Sequence, residues 1–194
     1  LVRTGASLDI EVNKVKMRNV GEAVTLTPNG EIVISDMNPS DLRHLIQTGE
    51  GTFLEFKKTV PKPSKIAREI AAFANTSGGT ILIGVHDNKQ IAGIRAYFEE
   101  EFLLQEAAQK LCVPPVQIYI ELVHLPDADV MVVRVPESTE KPVYLKGKKK
   151  RQVFVRFQDE SVLASDEQTE ILKQQYSGTG VTFEYGKNEQ MLFR

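Results

Sequence analysis

Glu50, Glu55 and Asp87 are the residues whose type and placement best suit chemistry. Glu50 precedes the strand-like run "TFLEFK", Glu55 lies inside it, and Asp87 ends a second apolar run, "TILIGVHD". Carboxylates that converge from a loop, a strand and a strand end can hold Mg²⁺ or Mn²⁺, because hard cations take oxygen ligands. Such an ion can polarise a phosphodiester and activate water. Lys57, two residues beyond Glu55 and so on the same strand face, could stabilise charge developing on a phosphate. Charged residues near turns are mostly solvated, so a plain surface role for the same acids stays open.

A second group is cationic. "KGKKKR" sets Lys146, Lys148, Lys149, Lys150 and Arg151 around Gly147, with Lys141 before it and Arg156 after it. Crowded cations repel one another unless an anion lies across them. A phosphate backbone is the obvious anion, and such contacts give affinity without sequence specificity. A solubilising hairpin tip beside a blunted edge strand accounts for the same residues equally well.

Other motifs point to structure. "NTSGGT", residues 75 to 80, leads from a helix into a strand, the reverse of the usual anion-binding order. Gly78 and Gly79 there read as a left-handed helix end and a close packing contact. There is no G-x-x-x-x-G-K-[ST] loop and no nucleophile elbow. His44, His86 and His124 are scattered, and a single cysteine, Cys112, makes a zinc site improbable. His86 reads as a half-exposed turn residue beside Asp87, and Cys112 as a lone buried thiol.

These residues need a scaffold, and the chain is long enough for one. Its 194 residues, 41% of them hydrophobic, suffice for one packed domain with a small appendage. A net charge of -2 rules out a global basic field, so a polyanionic partner must meet a local patch. One cysteine cannot form an intrachain disulfide, which fits a reducing cytoplasm. No apolar run approaches the ~18 residues of a membrane span, and no signal-peptide pattern opens the chain. The first residue is Leu1, and a longer parent polypeptide is expected.

The elements follow from periodicity. Residues 7 to 36 alternate as a small β unit, with Leu8, Ile10 and Val12, then Val24 and Leu26, then Ile32 and Ile34 beyond the turn at Pro28-Asn29-Gly30. Asn38 caps a short helix that opens with Pro39 and buries Leu42, Leu45 and Ile46. After strand 52–57, Ser64 is expected to cap a helix with Ile66, Ile70 and Phe73 on its apolar stripe. The apolar run 80–85 reads as a central strand, and Asp87-Asn88-Lys89 as a turn. A helix over about 96–111 carries Leu104, Ala107, Ala108 and Leu111, and Pro114 and Pro115 stop it. Strands follow over 116–122 and 130–135, then "KPVYL" and "QVFVRF" flank the basic tip, and a helix spans about 165–175. "NEQMLFR" reads as the first turns of a further helix.

Taken in order, "GEGTFLEFKKT", "IAREIAAFANTSGGTILIGVHDNKQIAGI" and "KPVYLKGKKKRQVFVRF" resemble the Schlafen AlbA-type domain over roughly residues 38 to 175. The resemblance implies a DNA-binding or transcription-regulating role, as most bacterial and archaeal relatives are described. In relatives that cleave RNA, three metal-binding acids sit in E-x-x-x-x-E-F-K and after I-G-V-x; carried over, they fall on Glu50, Glu55 and Asp87. His86 stands where the family often has a second acid, and "FQDES" replaces a Gly-Ser-type turn after Arg156. Bacterial relatives often continue into a winged-helix domain.

The expectation is therefore an α+β domain, a mixed β-sheet flanked by helices, over residues 38–176. A small N-terminal β unit (1–37) precedes it, and residues 177–194 are expected to be a linker and the start of a truncated C-terminal segment of winged-helix type. The expected function is a nucleic-acid-binding module of a transcriptional regulator, acting on DNA or RNA through Lys146, Lys148, Lys149, Lys150, Arg151 and Arg156. The alternative is a nuclease that uses Mg²⁺ or Mn²⁺ on Glu50, Glu55 and Asp87 with Lys57 as electrostatic support. A third reading, an assembly or sensor domain whose acids pair with Lys57 and Lys58, also stays open. No membrane partner is expected, and a homo-oligomer is compatible with the sequence.

Overall fold

The structure, a computed structural model, describes residues 37–147 and 151–175 with their side chains; at residue 176 and at six short strands, it describes the backbone. Those strands form antiparallel pairs: Glu11–Val12 with Val15–Lys16, Ala23–Leu26 with Ile32–Ser35, and Phe183–Tyr185 with Met191–Phe193. The second pair matches Val24 with Ile34 and Leu26 with Ile32, as the alternation predicts. Leu8 and Ile10 lie outside the described residues. Met191–Phe193 is a strand where the sequence suggests a helix. The run is too short to show a helical period, and its apolar residues suit an extended partner better.

The domain elements in chain order are α1 (Pro39–Thr48), β1 (Leu54–Lys57), α2 (Pro63–Asn75), β2 (Gly79–Ile83) and α3 (Tyr97–Glu106). There follow β3 (Cys112–Val113), β4 (Tyr119–His124), β5 (Asp129–Val135), β6 (Tyr144–Leu145), β7 (Gln152–Phe157), β8 (Glu160–Leu163) and α4 (Asp166–Tyr176). One sheet runs β1-β2-β5-β4 and is mixed: β1 and β2 are parallel, the other pairs antiparallel. The other runs β8-β7-β6-β3 and is antiparallel throughout. This is the α+β architecture, a mixed sheet flanked by helices.

Local chemistry explains the element ends. Asn38 Oδ1 accepts from the backbone N–H groups of Ser40 and Asp41, both at 2.9 Å, and so satisfies two of the free donors that open α1. α2 begins differently from the expected Ser64 cap. Lys62 stands at the cap without a side-chain hydrogen bond and Pro63 occupies the first turn, whose fixed φ is already helical. α3 widens into a π-helical turn over Ala107–Leu111 before the Pro114-Pro115 break.

The first sheet is buried on both faces. Ile81, Ile83, Met131 and Val133 pack beneath α2 and the end of α3 with Ile66, Ile70 and Phe73. Leu54, Phe56, Leu82 and Val132 face the other way, against Leu42 and Ile46 of α1. β2 is central, as its unbroken apolar run implies. The "GG" turn is structural: Gly78 has φ +72°, and a Cβ on Gly79 would meet the Phe73 ring at 2.3 Å. Among the described residues, no helix is long and apolar enough to cross a membrane.

Candidate functional site

β1 is an edge strand with one apolar face and one charged face. Leu54 and Phe56 point into the α1 side, so alternation sends Glu55 and Lys57 toward α2. Glu55 is only 7% exposed, and its burial is compensated by cations. Its Oε2 accepts from Arg156 Nη2 at 2.6 Å, and its Oε1 from Lys57 Nζ.

Arg156, on β7, is 0% exposed, and its guanidinium is the hub of a buried network. Nη1 donates to Glu69 Oε2 at 3.2 Å and to Ser161 Oγ at 3.3 Å, and Nη2 donates also to the Gly51 carbonyl at 3.1 Å. The Phe73 ring lies 4.7 Å beneath the guanidinium carbon, a cation–π contact. Glu69, on α2, is saturated too: Ser161 Oγ donates to its Oε2 and Arg68 Nη2 to its Oε1 at 3.0 Å. The network ties β1, α2, β7 and β8 together. The sequence expectation of a phosphate contact at Arg156 meets a guanidinium committed to two carboxylates inside the fold.

Glu50 and Asp87 flank this interior. The half-buried Glu50 accepts from the Phe56 N–H through Oε1 at 2.8 Å, which satisfies a donor of the edge strand. Burial pushes its carboxyl above the ordinary range; the Phe56 N–H and Lys57 oppose this, while Glu55 and Asp87 add to it. Asp87 is exposed, in a turn closed by the His86 N–H to the Gln90 carbonyl at 2.9 Å. Lys89 fastens that turn to the end of α1 by donating to the Gln47 carbonyl at 2.8 Å.

The fold thus brings the three acids into one electrostatic neighbourhood without making a ligand set. Among the described residues, no three His, Cys, Asp or Glu side chains converge as a metal site. Both oxygens of Glu55 already serve Lys57 and Arg156, so the donors as placed do not fit a divalent ion. His86 is half-buried, His44 is exposed, and the exposed His124 pairs with Asp129 through Nδ1 and Oδ1 at 2.8 Å. Cys112 is buried, and burial pushes its thiol up to about 12.

The basic tip joins β6 to β7, whose register sets Leu145 against Gln152. Lys146 and Arg151 at its two ends are exposed, and neither has an acidic partner among the described residues. Arg151 lies over the Tyr144 ring at 5.8 Å. Lys148, Lys149 and Lys150 lie outside the described residues. Lys141 is not part of this surface: it is 8% exposed and donates to the Thr76 carbonyl at 3.1 Å and to Glu137.

Three important residues were not apparent as such from the sequence. Glu69 interrupts the apolar stripe of α2, three residues after Ile66 and four before Phe73, and an acid in that position was the available signal. Ser161 gave none. Asn75, 2% exposed, donates from Nδ2 to the Val143 and Phe154 carbonyls, each at 2.9 Å, and accepts the Val143 N–H at 2.6 Å. It clips the end of α2 to both legs of the basic hairpin.

The mixed sheet, the two-layer packing and the "EFK" and "FANTSGG" segments define an α+β domain with a charged interior beside a basic hairpin. The Schlafen, AlbA_2 family profile matches residues 50–165, and the chain belongs to that family. Among curated proteins no match was found. The chain is similar to the N-terminal domain of a RecG-related protein from Nitrosomonas europaea, at 19% identity and a TM-score of 0.47, over 67% of this chain and 92% of that one. It is also similar to the DIP2311 protein from Corynebacterium diphtheriae, at 18% identity and a TM-score of 0.46, over 64% of this chain and 27% of that one.

Proposed function

We propose that this domain binds DNA or RNA by its phosphate backbone through the β6–β7 tip, as the nucleic-acid-binding part of a transcriptional regulator. The observation that carries this reading is the contrast in charge partnering. The buried Arg156 and Lys141 and the half-buried Lys57 are all ion-paired, whereas Lys146 and Arg151 stand exposed, without an acid among the described residues, at the ends of a stretch whose sequence holds three more lysines. Uncompensated cations at one spot are the electrostatic footprint of a polyanion. Arg156 takes no part in the contact; it anchors the strand that carries the tip.

A gel with fluorescent double-stranded DNA and structured RNA, each with Mn²⁺ or with chelator, tests the reading. Shifted, intact bands that weaken with salt, and weaken further in the Lys148→Ala/Lys149→Ala/Lys150→Ala protein, are expected. Unchanged binding in that variant would overturn it. The nuclease reading has one observation in its favour, the shared neighbourhood of Glu50, Glu55 and Asp87, and it requires Lys57 and Arg156 to release Glu55. Metal-dependent shortening of either substrate, lost in Asp87→Asn, would put it first.

A further inference from the structure

A second run of uncompensated charge lies away from the hairpin. Residues 56–68, "FKKTVPKPSKIAR", contain five cations and no acid. The run leaves β1, crosses a loop and enters the first turns of α2. Two of the five are answered inside the domain, Lys57 by Glu55 and Arg68 by Glu69. Lys58, Lys62 and Lys65 are exposed, and among the described residues none has an ion-pair partner. The first turn of α2 contains no acid to offset them.

The backbone that presents these lysines is held in place. Val60 is buried in the main core, its N–H donates to the Glu100 carboxylate of α3, and Pro61 and Pro63 restrict the chain on either side. Three like charges on an anchored segment repel one another at a cost that an anion across them would remove. The base of the hairpin meets the opposite end of α2, through Asn75, so about the length of a 13-residue helix lies between the start of α2 and that base. That is about 20 Å, or about six base pairs of duplex.

We propose that Lys58, Lys62 and Lys65 form a second phosphate-contact surface for the same nucleic acid; this rests on the reading of the hairpin as a phosphate-binding element. Two separated contacts would set the direction of a duplex across the domain while leaving it indifferent to base sequence.

The test uses the full chain and a labelled 20-base-pair DNA duplex and RNA hairpin, read by fluorescence anisotropy across a salt series. Lys58→Ala/Lys62→Ala/Lys65→Ala should raise Kd about tenfold or more and reduce the steepness of the log Kd against log salt plot by about two to three. Because the three lysines are exposed, unpaired among the described residues and mutually repelling, the melting temperature should stay at or rise slightly above the wild-type value. Lys110→Ala, which removes a cation paired with Glu106 on α3, should leave Kd within about twofold. Wild-type affinity in the lysine triple variant, with weakened binding in the hairpin triple variant, would overturn the second surface alone. Absence of salt-dependent binding by the wild type would overturn both readings. Loss of binding to phosphatidylserine–phosphatidylcholine vesicles, with nucleic-acid affinity unchanged, would reassign the patch to lipid and overturn the proposal.

Discussion

Arg151 immediately precedes β7 and Arg156 lies near the far end of that strand, yet the two lead opposite lives. Arg151 is exposed, lies over Tyr144 and has no acid beside it among the described residues; Arg156 is fully buried between Glu55 and Glu69. The difference comes from what the rest of the chain brings to each. Glu55 and Glu69 lie 101 and 87 residues before Arg156 in sequence, on an edge strand and a helix that the fold closes over it. Among the described residues, no acid reaches Arg151 in this way. A basic residue next to a lysine-rich tip therefore belongs to the surface only if the fold leaves it without counter-charge.

This contrast can be broken most directly at Arg156. Arg156→Ala would leave two buried carboxylates without their shared cation, and urea unfolding should show a loss of about 3–5 kcal/mol. A loss below about 1 kcal/mol would place Arg156 with the hairpin cations after all. Next comes Asn75→Ala, which strands the Val143 N–H and two carbonyls; about 2–3 kcal/mol is expected in the same assay. The opposite pole is the paired substitution Lys146→Ala/Arg151→Ala. Unfolding should change by no more than about 0.5 kcal/mol, while nucleic-acid affinity falls several-fold and its salt dependence flattens.

The smallest effect sharpens the boundary between the two regions. The carboxyl of Glu50 is raised above the ordinary glutamate range chiefly by burial, so the fold favours its protonated form. The stability this contributes is complete below the unfolded-state value and is lost as pH rises through the raised one. Glu50→Gln, neutral throughout, should melt with wild type in acid and move above it as pH climbs toward 7, followed by calorimetry. A relative fall instead would show that the Phe56 N–H and Lys57 outweigh burial at this carboxylate.

Much of the scaffold was legible because it rests on local rules. The Asn38 cap, the Pro39 helix start, the apolar β2 run and the Val24–Leu26 to Ile32–Ile34 hairpin all follow from period and turn chemistry within a few residues. The departures are also instructive. Proline at the first turn of α2 outweighed a serine one residue later as a starting signal, and the seven-residue tail was too short for its period to be read. The charged interior was the least legible part. Glu50, Glu55 and Asp87 drew notice as candidate metal ligands and Lys57 as their electrostatic support, yet Glu55 is bound by a guanidinium 101 residues further along the chain. Alternation along β7 could not foretell this, since Val155 and Arg156, on opposite faces, are both buried.

The amide of Asn75 has a mechanical consequence. One side chain grips the peptide groups of Val143 and Phe154, one on each leg of the basic hairpin, and it does so from the last turn of the most deeply buried helix. A polymer pulling on the tip would thus draw on a beam rather than on a loose flap. Tension entering through the lysines would run down both legs together and pass into α2 through Asn75, so the tip and the main core should yield at one force rather than in sequence.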